Sequence, residues 1–401
     1  MKVLFVNVVC GVGSTGRIVT DLCAVLRTEG HSFRVAYGYG TARGIAPEDS
    51  FRTVGKGGYY AHNALSRLTD HAGFYSTAAT RRLIRRIEEY DPDLIHLHNL
   101  HGYYLNVELL FDYLRRAGKP VIWTLHDCWP FTGHCAYFDA AGCDRWKSGC
   151  RDCTQLRSYP KCFLGGDVAR NYARKKAAFC GVERLVFVTP SHWLAGLVGE
   201  SFLGDYPVRV IHNGIDRTLF CPQESDLRRN HGWENRKLVL AVASEWNARK
   251  GMQDVFSLAR KLGPDYQTVM VGVRKEQLSL IPPEVYPIRK TGSAAELAQL
   301  YAAADVLVNP TYEDNFPTVN LEALACGTPV LTYRTGGSVE AVDESCGIVV
   351  ERGDVEAMCR AVPEALKLHR EDARRRSRLF DREDRYRDYL SLYREMLGTE
   401  K

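Results

Sequence analysis

Short apolar segments alternate with amphipathic segments along this chain, and the alternation runs through the chain twice. The first half predicts strands at 2–9, 33–37, 94–97, 121–125 and 185–189, and helices near 17–27, near 80–90 and after 190–191. The second half predicts strands at 238–243, 268–272, 306–309, 330–333 and 347–350. Continuous apolar strands between helices are typical of parallel sheets covered on both faces. The pattern therefore predicts an α/β protein with two Rossmann-like units facing across a cleft, with ligands at the carboxyl ends of the strands.

The composition agrees with a globular protein of this size. A chain of 401 residues with 45% hydrophobic and 25% charged residues has enough apolar material for two cores. No apolar run approaches the roughly 18 residues that a spanning helix needs, and no signal-peptide pattern opens the chain, so a cytoplasmic protein is expected. The positive charge excess lies in the first half, which indicates an anionic partner there.

The stretch 309–337, NPTYEDNFPTVNLEALACGTPVLTYRTGG, contains a strand end, a polar loop, a helix opened by Pro317, a second strand and a Gly-Gly turn. Spare N–H groups and the helix dipole at such a helix start bind anions such as a diphosphate. The loop carries Asp314, and the helix carries Glu322, which is better suited to the hydroxyls of a ribose than to an anion. A sugar nucleotide has both parts, although an ordinary βα unit with a solvated Glu fits equally well.

This stretch resembles the donor-site signature of family 4 retaining glycosyltransferases, which have the GT-B fold. Asp314 and Glu322 match its two acidic positions, separated by seven residues, and ACGTPV follows at 325–330. The first acidic position is usually Glu, and here it is Asp, preceded by Glu313. The sequence EDNFP, with Asn315, Phe316 and Pro317, resembles a subgroup associated with bacterial exopolysaccharide and colanic-acid-type assembly. The resemblance implies that these residues bind a nucleotide-sugar donor.

The same resemblance implies how the chain is divided. We expect an acceptor-side domain at 1–208, a nucleotide-sugar donor domain at 209–378, and a C-terminal helix at 379–401 that crosses back to the first domain. The hinge is expected near 204–214. A cysteine-rich insertion is expected within the first domain at about 128–162.

Cations for the donor phosphates are predicted immediately after the first strand of the second half. Arg249 and Lys250 lie there, and Lys250 with Gly251 resembles the Lys-Gly part of the family's phosphate-binding loop. The usual Arg five residues before the Lys is replaced by Glu245, so Arg249 is expected to take its role. The nucleobase is expected near 289–292, around Thr291. Nothing in that segment separates a UDP-sugar from a GDP-sugar.

Two strand ends of the first half carry further candidates. Residues 11–16 match G-x-G-x-x-G after the first strand, but the second strand ends without the acidic residue that a dinucleotide fingerprint requires. The loop, with Gly13, is therefore assigned to donor phosphates or acceptor, not to a nicotinamide cofactor. His126 ends a later strand and, by resemblance, faces the donor sugar at the reaction centre. His98, Asn99 and His101 are expected to shape the acceptor side or to brace the loop.

Cysteine is abundant, with 13 residues, and six of them cluster at 128–162. Tetrahedral zinc commonly uses a Cys-x-x-Cys pair and two further thiolates. Cys135, Cys143, Cys150 and Cys153 form the most economical set for a structural zinc, with His134 and Cys162 as alternates. Reduced thiols and disulfides stay open as alternatives. No catalytic metal is expected, because Asp91-Pro92-Asp93, which spells the D-x-D motif, precedes a strand and would lie at the wrong end of the sheet.

The expected enzyme is a retaining hexosyltransferase that moves a sugar from a nucleotide-diphosphate sugar to an acceptor hydroxyl. The subgroup implies a polyprenyl-diphosphate-linked saccharide acceptor at the cytosolic face of the membrane, and no nucleic-acid partner. Residues 80–87, with four arginines, are either an interfacial helix against anionic lipid or a sheet-covering helix with a solvated basic face. The alternatives from other classes are a GT-B-like sugar-nucleotide epimerase and a non-catalytic nucleotide-sugar binder.

Overall fold

The protein is built from two compact units, each organised around a parallel sheet. A computed structural model describes residues 1–399. The first unit comprises Met1–Ile211 and the segment that starts at Tyr386, and the second comprises His212–Arg385. The prediction of an α/β protein with two parallel-sheet units is confirmed.

The first unit contains a seven-stranded sheet in the order β3-β2-β1-β4-β5-β6-β7, in which all neighbouring strands are parallel. Its strands are β1 Lys2–Asn7, β2 Ser32–Tyr37, β3 Ser50–Arg52, β4 Leu94–Leu97, β5 Val121–Thr124, β6 Leu185–Thr189 and β7 Val208–Val210. Its helices before the chain leaves the unit are α1 Gly13–Thr28, α2 Lys56–Thr69, α3 Thr77–Tyr90, α4 Val107–Ala117, α5 Val168–Phe179 and α6 His192–Gly199.

The second unit contains a six-stranded parallel sheet in the order β10-β9-β8-β11-β12-β13. Its strands are β8 Lys237–Val242, β9 Tyr266–Val271, β10 Val285–Ile288, β11 Val306–Asn309, β12 Val330–Tyr333 and β13 Gly347–Val350. The remaining helices are α7 Leu227–His231, α8 Met252–Leu262, α9 Ala294–Ala303, α10 Thr318–Ala325, α11 Val355–Ala365, α12 Arg370–Ser377 and α13 Arg382–Leu397.

The central strands are buried along their length, which is why their sequences are apolar without interruption. Strands such as Leu94–Leu97 and Val306–Asn309 have four buried residues out of four. Two short strands were not predicted, Ser50–Arg52 and Val208–Val210, and Val285–Ile288 was anticipated only as a strand end before residue 289. All three lie at sheet edges and are only partly buried. Val208–Val210 falls inside the segment expected to be a hinge, so the compact units divide only after Ile211.

The C-terminal helix α13 returns to the first unit. Its buried residues belong to the cluster that contains Val3 and Phe5 of β1 and Val188 of β6; they are Tyr386, Tyr389, Leu390, Leu392 and Tyr393. The alternation of aromatic and charged residues in its sequence therefore corresponds to one face on the first core and one face in solvent. The last two residues of the helix expected at 379–401 lie outside the described residues.

Each sheet has one point where the strand order reverses. In the first sheet the chain winds outward in both directions from β1 and β4, and in the second from β8 and β11. Loops that leave the carboxyl ends of such a strand pair diverge and form the crevice where open α/β sheets bind ligands. The Gly-rich loop and His98 follow β1 and β4, while Lys250 and Asp314 follow β8 and β11.

None of the helices within residues 1–399 is both long enough and apolar enough to cross a lipid bilayer.

Candidate active site

In the second unit, the loops after β8 and β11 bring a lysine into contact with a carboxylate. Lys250 Nζ donates to Asp314 Oδ2, and each of these side chains is 18% exposed. Asn247 caps the short turn that carries the lysine, because its side-chain oxygen accepts a hydrogen bond from Lys250 N at 3.1 Å. The structure thus brings together two of the predicted donor residues, one cationic and one anionic.

The arginine beside this lysine is tied to the backbone of the acidic loop. Arg249 Nη1 donates to the carbonyl of Glu313 at 2.8 Å, and the carbonyl of Arg249 accepts from Tyr312 N at 2.7 Å. Thr311 Oγ1 donates to the same Glu313 carbonyl at 3.1 Å. Arg249 therefore connects the two loops, and it holds the backbone next to Asp314.

Glycine is required where the lysine loop meets helix α8. Gly251 has φ +69°, and a Cβ at this position would lie 2.1 Å from the carbonyl oxygen of Pro310. Since the neighbouring atom belongs to the backbone, it cannot move aside as a flexible side chain would. The Lys-Gly pair recognised in the sequence is explained by this close approach of the β8 and β11 loops.

Glu322 lies on the buried side of helix α10. The residue is 8% exposed, and its Oε2 accepts a hydrogen bond from Tyr301 OH at 2.8 Å. Tyr301 itself is fully buried on α9, and burial raises the pKa of its hydroxyl well above the ordinary value, so the phenol stays protonated and donates. The solvated glutamate considered for this position is therefore wrong, because the carboxylate is buried and oriented by a neighbour.

A second short helical turn, Gly336–Ala341, follows β12 next to the acidic loop. Gly337 N donates to the carbonyl of Asp314 at 3.3 Å, which joins the two segments. Asn320 Nδ2 of α10 donates to Ser338 Oγ at 3.0 Å and so fixes the turn against the helix. Thr335, which precedes the turn, is 3% exposed and its buried hydroxyl has no hydrogen-bond partner within the described residues.

The remaining predicted donor residues lie at different places in the second unit. Phe316 is 3% exposed and stacks on His212 with ring centroids 4.7 Å apart, so its side chain belongs to the core of the second unit. Asn315 is buried in the same loop. Pro317 precedes the first residue of α10 instead of occupying the first helical position. Thr291 follows β10 at the edge of the sheet, separated from β8 by β9.

In the first unit, two histidines meet beyond the ends of β4 and β5. His98 Nδ1 and His126 Nε2 are 3.0 Å apart, and the rings are stacked with centroids 5.3 Å apart. Burial lowers the pKa of His126 to about 4, although the Asp127 carboxylate opposes part of that shift. Burial also lowers the pKa of His98 well below its ordinary value. Both imidazoles are therefore neutral at neutral pH.

The hydrogen-bond partners of His98 and His126 indicate which nitrogen of each ring carries the proton. His98 Nε2 is buried without a hydrogen-bond partner. A buried N–H without an acceptor is rarer in proteins than an unsatisfied acceptor. We therefore assign the proton of His98 to Nδ1, which donates to His126 Nε2. It follows that neutral His126 is protonated on Nδ1.

The Gly-rich loop at the start of α1 leaves space at one glycine and none at another. Gly13 has φ +65°, and a Cβ there would meet no atom within 4 Å. Gly11 has φ +67°, and a Cβ there would lie 2.0 Å from the carbonyl oxygen of Arg43. Gly11 thus serves the fold, while the backbone at Gly13 is open to a ligand.

His101 braces the segment that follows β5. His101 Nε2 lies 2.7 Å from Asp127 Oδ2, and its Nδ1 lies 3.0 Å from Tyr159 OH of the cysteine-rich insertion. Burial would raise the pKa of Asp127, but the charge and hydrogen bond of His101 outweigh this effect and leave the pKa below its ordinary value. The insertion is thereby attached to the residue next to His126, as expected for a bracing role of His101.

The four cysteines predicted as zinc ligands line one cavity in the insertion, together with His134. All are free thiols. Among residues 1–399, no three of these ligand atoms lie mutually within 4.8 Å of one another. The cysteines are therefore brought to one place, with room between them.

Fold and site together define a glycosyltransferase with the GT-B fold, as the sequence predicted. The chain belongs to glycosyltransferase family 4: the Glycosyltransferase Family 4 profile matches residues 15–219, about half of the chain, and the profile of Glycosyl transferases group 1 matches residues 236–367. The class of enzyme, a hexosyltransferase, is likewise confirmed.

Individual relatives agree with this family. WcaC of Escherichia coli (strain K12), whose name describes a glycosyl transferase of colanic acid biosynthesis, is 27% identical over 373 residues, covering 88% of each chain. Among solved structures, sucrose-phosphate synthase from Thermosynechococcus elongatus superimposes with a TM-score of 0.73 at 17% identity, covering all of both chains. Anabaena Alr3699/HepE in complex with UDP-glucose gives a TM-score of 0.67 at 17% identity over 98% of this chain and all of that chain.

Proposed function

We propose that this glycosyltransferase transfers a hexose from a nucleotide-diphosphate sugar to an acceptor hydroxyl with retention of the anomeric configuration. The observation that carries the proposal is the pair of Lys250 and Asp314 on the loops after β8 and β11, where the strand order of the second sheet reverses. Glu322, held by Tyr301, lies on the helix that follows the second of these loops. A diphosphate needs a cation, and a sugar or ribose needs oriented oxygen acceptors. That HepE is crystallised with UDP-glucose supports a donor of this class.

Lys250 and Arg249 bind the diphosphate in this proposal. Without donor, the Lys250 ammonium is neutralised by Asp314. A bound diphosphate is a stronger anionic partner for the lysine, so Asp314 is released to accept hydrogen bonds from the donor sugar. The buried hydroxyl of Thr335 and the N–H groups at the start of α10 add uncharged donors for the same phosphates.

Glu322 accepts hydrogen bonds from the ribose hydroxyls. Because Tyr301 occupies one of its oxygens, the carboxylate has a fixed orientation before the donor arrives. Such preorganisation reduces the entropy lost on binding. Tyr301 is thus a positioning residue.

His126 serves the sugar from the first unit. With its proton on Nδ1, neutral His126 donates a hydrogen bond to a sugar hydroxyl without adding a charge. In the transfer step, the bond between the anomeric carbon and the phosphate oxygen breaks while the acceptor oxygen bonds to the same face. The acceptor proton passes to the leaving phosphate, so that the products are the glycosylated acceptor and the nucleoside diphosphate. Lys250 and Arg249 stabilise the negative charge that develops on the phosphate.

A donor panel with carboxamide variants tests this proposal. Purified protein is incubated with UDP- and GDP-sugars, and nucleotide release and thermal stabilisation are recorded. Glu322→Gln is expected to lower turnover at least 100-fold and to weaken donor-induced stabilisation, while the exposed Glu276→Gln changes neither. Wild-type turnover in Glu322→Gln would contradict the assignment.

The epimerase and binding-protein alternatives are separated by the acceptor. An epimerase converts the donor sugar without any acceptor, and a binding protein is stabilised by donor but never releases nucleotide. A transferase releases nucleoside diphosphate faster when acceptor is added and produces a new glycoside. Mass spectrometry of the products therefore distinguishes all three.

We further propose that the acceptor is a lipid-linked saccharide and that the first unit contacts an anionic membrane surface. Helix α2 buries only His62 and Ser66, while it exposes apolar side chains. We call the following residues the α2 patch, which includes two residues that directly follow the insertion: Tyr60, Leu65, Leu68, Phe163 and Leu164. Exposed Arg67 and Arg157 flank Phe163, with their guanidinium carbons 5.8 and 5.3 Å from its ring centre.

Apolar side chains bordered by arginines suit the interface of an anionic bilayer. Helix α3, the other candidate, buries Leu83 and Ile87 in the core and presents its arginines alone. Flotation with phosphatidylglycerol-containing vesicles is expected to fall at least fivefold for Leu65→Ser/Leu68→Ser. Arg81→Gln/Arg85→Gln is expected to have a smaller effect. Equal flotation of wild type and the leucine variant would remove the α2 patch from this role.

A further inference from the structure

The cysteine-rich insertion encloses a cavity of about 280 Å³ in the first unit. Its wall carries the thiols of Cys135, Cys143, Cys150 and Cys153 and the imidazole of His134. Four thiols and an imidazole on one wall are the ligand types that zinc prefers. Sugar transfer as proposed above makes no use of this cavity.

His134 is oriented as a metal-binding histidine is oriented. It is 3% exposed, its Nδ1 is hydrogen-bonded to the carboxylate of Asp70, and its Nε2 is buried without a hydrogen-bond partner. Asp70 is itself held by Asn171, whose Nδ2 donates to the Asp70 carbonyl at 2.7 Å. The carboxylate keeps the proton on Nδ1, which leaves a lone pair on Nε2. An unsatisfied lone pair on the wall of a thiol-lined cavity is a ligand position.

Burial raises the pKa of the Cys150 and Cys153 thiols, and a backbone N–H group at each sulfur opposes part of that shift. Gly133 N donates to Cys150 Sγ at 3.1 Å, and Gln155 N donates to Cys153 Sγ at 3.4 Å. Buried Lys175, whose Nζ donates to the carbonyls of Trp129 and Thr132, lies near Cys135 and Cys150, and burial lowers its pKa to about 7. Zinc with three thiolates and one imidazole carries one net negative charge, which would favour the charged form of this lysine.

We propose that the cavity binds one Zn²⁺ through His134 Nε2 and the thiolates of Cys143, Cys150 and Cys153. These four residues are separated by at least two positions each, as in tetrahedral zinc sites. Cys135 directly follows His134 and is assigned to the cavity wall. Binding replaces the three thiol protons by the metal and releases them to solvent. The donor atoms are farther apart than in a formed zinc site, so binding requires each of them to move to about 2.0–2.3 Å from the ion.

The bound metal would connect the insertion to the sugar-binding end of the first sheet. Tyr159 of the insertion touches His101, which holds Asp127 beside His126. Fixing the segment from His134 to Cys153 thus limits the motion of the chain that follows β5. Zinc acts here as a structural and positioning ion, and it takes no part in sugar transfer.

The metal content of the full chain, purified without chelator, tests this proposal. Elemental analysis is expected to give one zinc per chain, and X-ray absorption is expected to show three sulfurs and one nitrogen around it. Cys150→Ser is expected to lose the zinc, whereas Cys180→Ser and Cys221→Ser, outside the cavity, retain it. Asp70→Asn is expected to weaken zinc binding 10- to 100-fold, because the orienting carboxylate is lost.

A second experiment uses wild-type protein and does not depend on whether the variants fold. Metal is removed with a chelator, and the protein is then titrated with Co²⁺. Sulfur-to-cobalt charge-transfer bands at one equivalent support the site, and their absence overturns it. Metal-free protein from zinc-supplemented cells overturns it as well. A shell of four sulfurs, or zinc loss in Cys135→Ser, overturns the assignment of His134. None of these readouts depends on glycosyl transfer, so failure here leaves the proposed function untouched.

Discussion

Two carboxylates that look alike in the sequence have different surroundings in the folded protein. Asp314 is partly exposed and paired with Lys250, while Glu322 is buried and held by Tyr301. An ion pair with a lysine is easily exchanged for another anion, whereas a buried, hydrogen-bonded carboxylate keeps its geometry. The difference supports a role for Asp314 in which it changes partner when the donor binds, and a role for Glu322 in which it keeps one orientation.

Removing the hydroxyl that holds Glu322 tests this distinction. Tyr301→Phe keeps the buried ring and deletes one hydrogen bond, so we expect about a tenfold weaker donor affinity, equivalent to about 1.4 kcal/mol. Because Glu322 stays in place but loses its orientation, KM for donor should rise more than kcat falls. Steady-state kinetics with the donor identified by the panel measures both. A variant with unchanged KM would show that Tyr301 only fills space.

The buried side chain of His62 on α2 predicts how the free energy of unfolding depends on pH. Gly73 N donates to His62 Nε2 at 3.3 Å, so Nδ1 carries the proton and donates to Ser76 Oγ, and burial lowers the pKa of His62 to about 3. The unfolded state takes up a proton near pH 6.5 and the folded state does not, so the free energy of unfolding falls as the pH drops from about 6.5 towards 3. The slope per histidine is about 1.4 kcal/mol per pH unit.

Urea unfolding at pH 7.0 and 5.0 measures this loss. We expect His62→Gln to lose about 2 kcal/mol less than wild type between these two values, whatever its stability at pH 7.0. The comparison is internal to each variant, so a packing defect caused by the substitution does not affect it. An identical pH dependence in wild type and variant would contradict the buried, neutral state of His62.

At the scale of elements, two helix ends carry glycines with the same left-handed backbone conformation but different surroundings. Gly251 at the start of α8 approaches the backbone of Pro310, while Gly232 at the end of α7, with φ +67°, has no atom within 4 Å of a built Cβ. Both substitutions to alanine carry the strain of a left-handed residue, about 1–2 kcal/mol. Only Gly251→Ala also forces the Lys250 loop away from the Asp314 loop.

We therefore expect Gly251→Ala to lower stability by at least about 2 kcal/mol more than Gly232→Ala, since a backbone contact cannot relax. Transfer activity should fall in Gly251→Ala alone. Thermal denaturation and turnover of the two purified variants provide the measurement. Equal loss in both would show that the β8 and β11 loops tolerate separation.

At the scale of the whole molecule, the first unit is formed by two parts of the chain. Its last helix comes after the second unit in the sequence. Helix α13 supplies Tyr389 and Tyr393 to the first core, and Tyr393 OH lies 2.7 Å from His96 Nδ1. His96 in turn is 2.8 Å from Thr124 Oγ1 at the end of β5. The last helix thus supports the strands that carry His98 and His126.

Two substitutions of Tyr393 separate the contribution of its buried ring to stability from the contribution of its hydrogen bond. Tyr393→Phe should lower the stability of the first unit by about 1 kcal/mol, and Tyr393→Ala by about 3–5 kcal/mol, because a fully buried ring is lost. Tyr60→Ala, on the exposed face of α2, serves as the control and should change stability by less than about 0.5 kcal/mol. Unfolding monitored by circular dichroism ranks the three. Equal effects of the buried and exposed substitutions would contradict the docking of α13.

Much of this organisation follows from local sequence. Buried parallel strands are continuous apolar runs, so Leu94–Leu97 and Val330–Tyr333 are predictable to the residue. The donor signature also lies in one stretch of chain, which made Asp314 and Glu322 visible. Edge strands such as Val208–Val210 are short and half-exposed, so nothing local distinguishes them from a linker.

The sequence by itself determined the fold class, the family and the identity of the candidate donor residues, because each depends on periodicity or on a motif of neighbouring residues. Only the tertiary structure decided which distant side chains meet them. The contacts of Tyr301 with Glu322 and of Asp70 with His134 join residues 21 and 64 positions apart. It also decided that α2, and not α3, exposes apolar side chains. Burial depends on what packs against a helix, and no pattern within the helix specifies its neighbour.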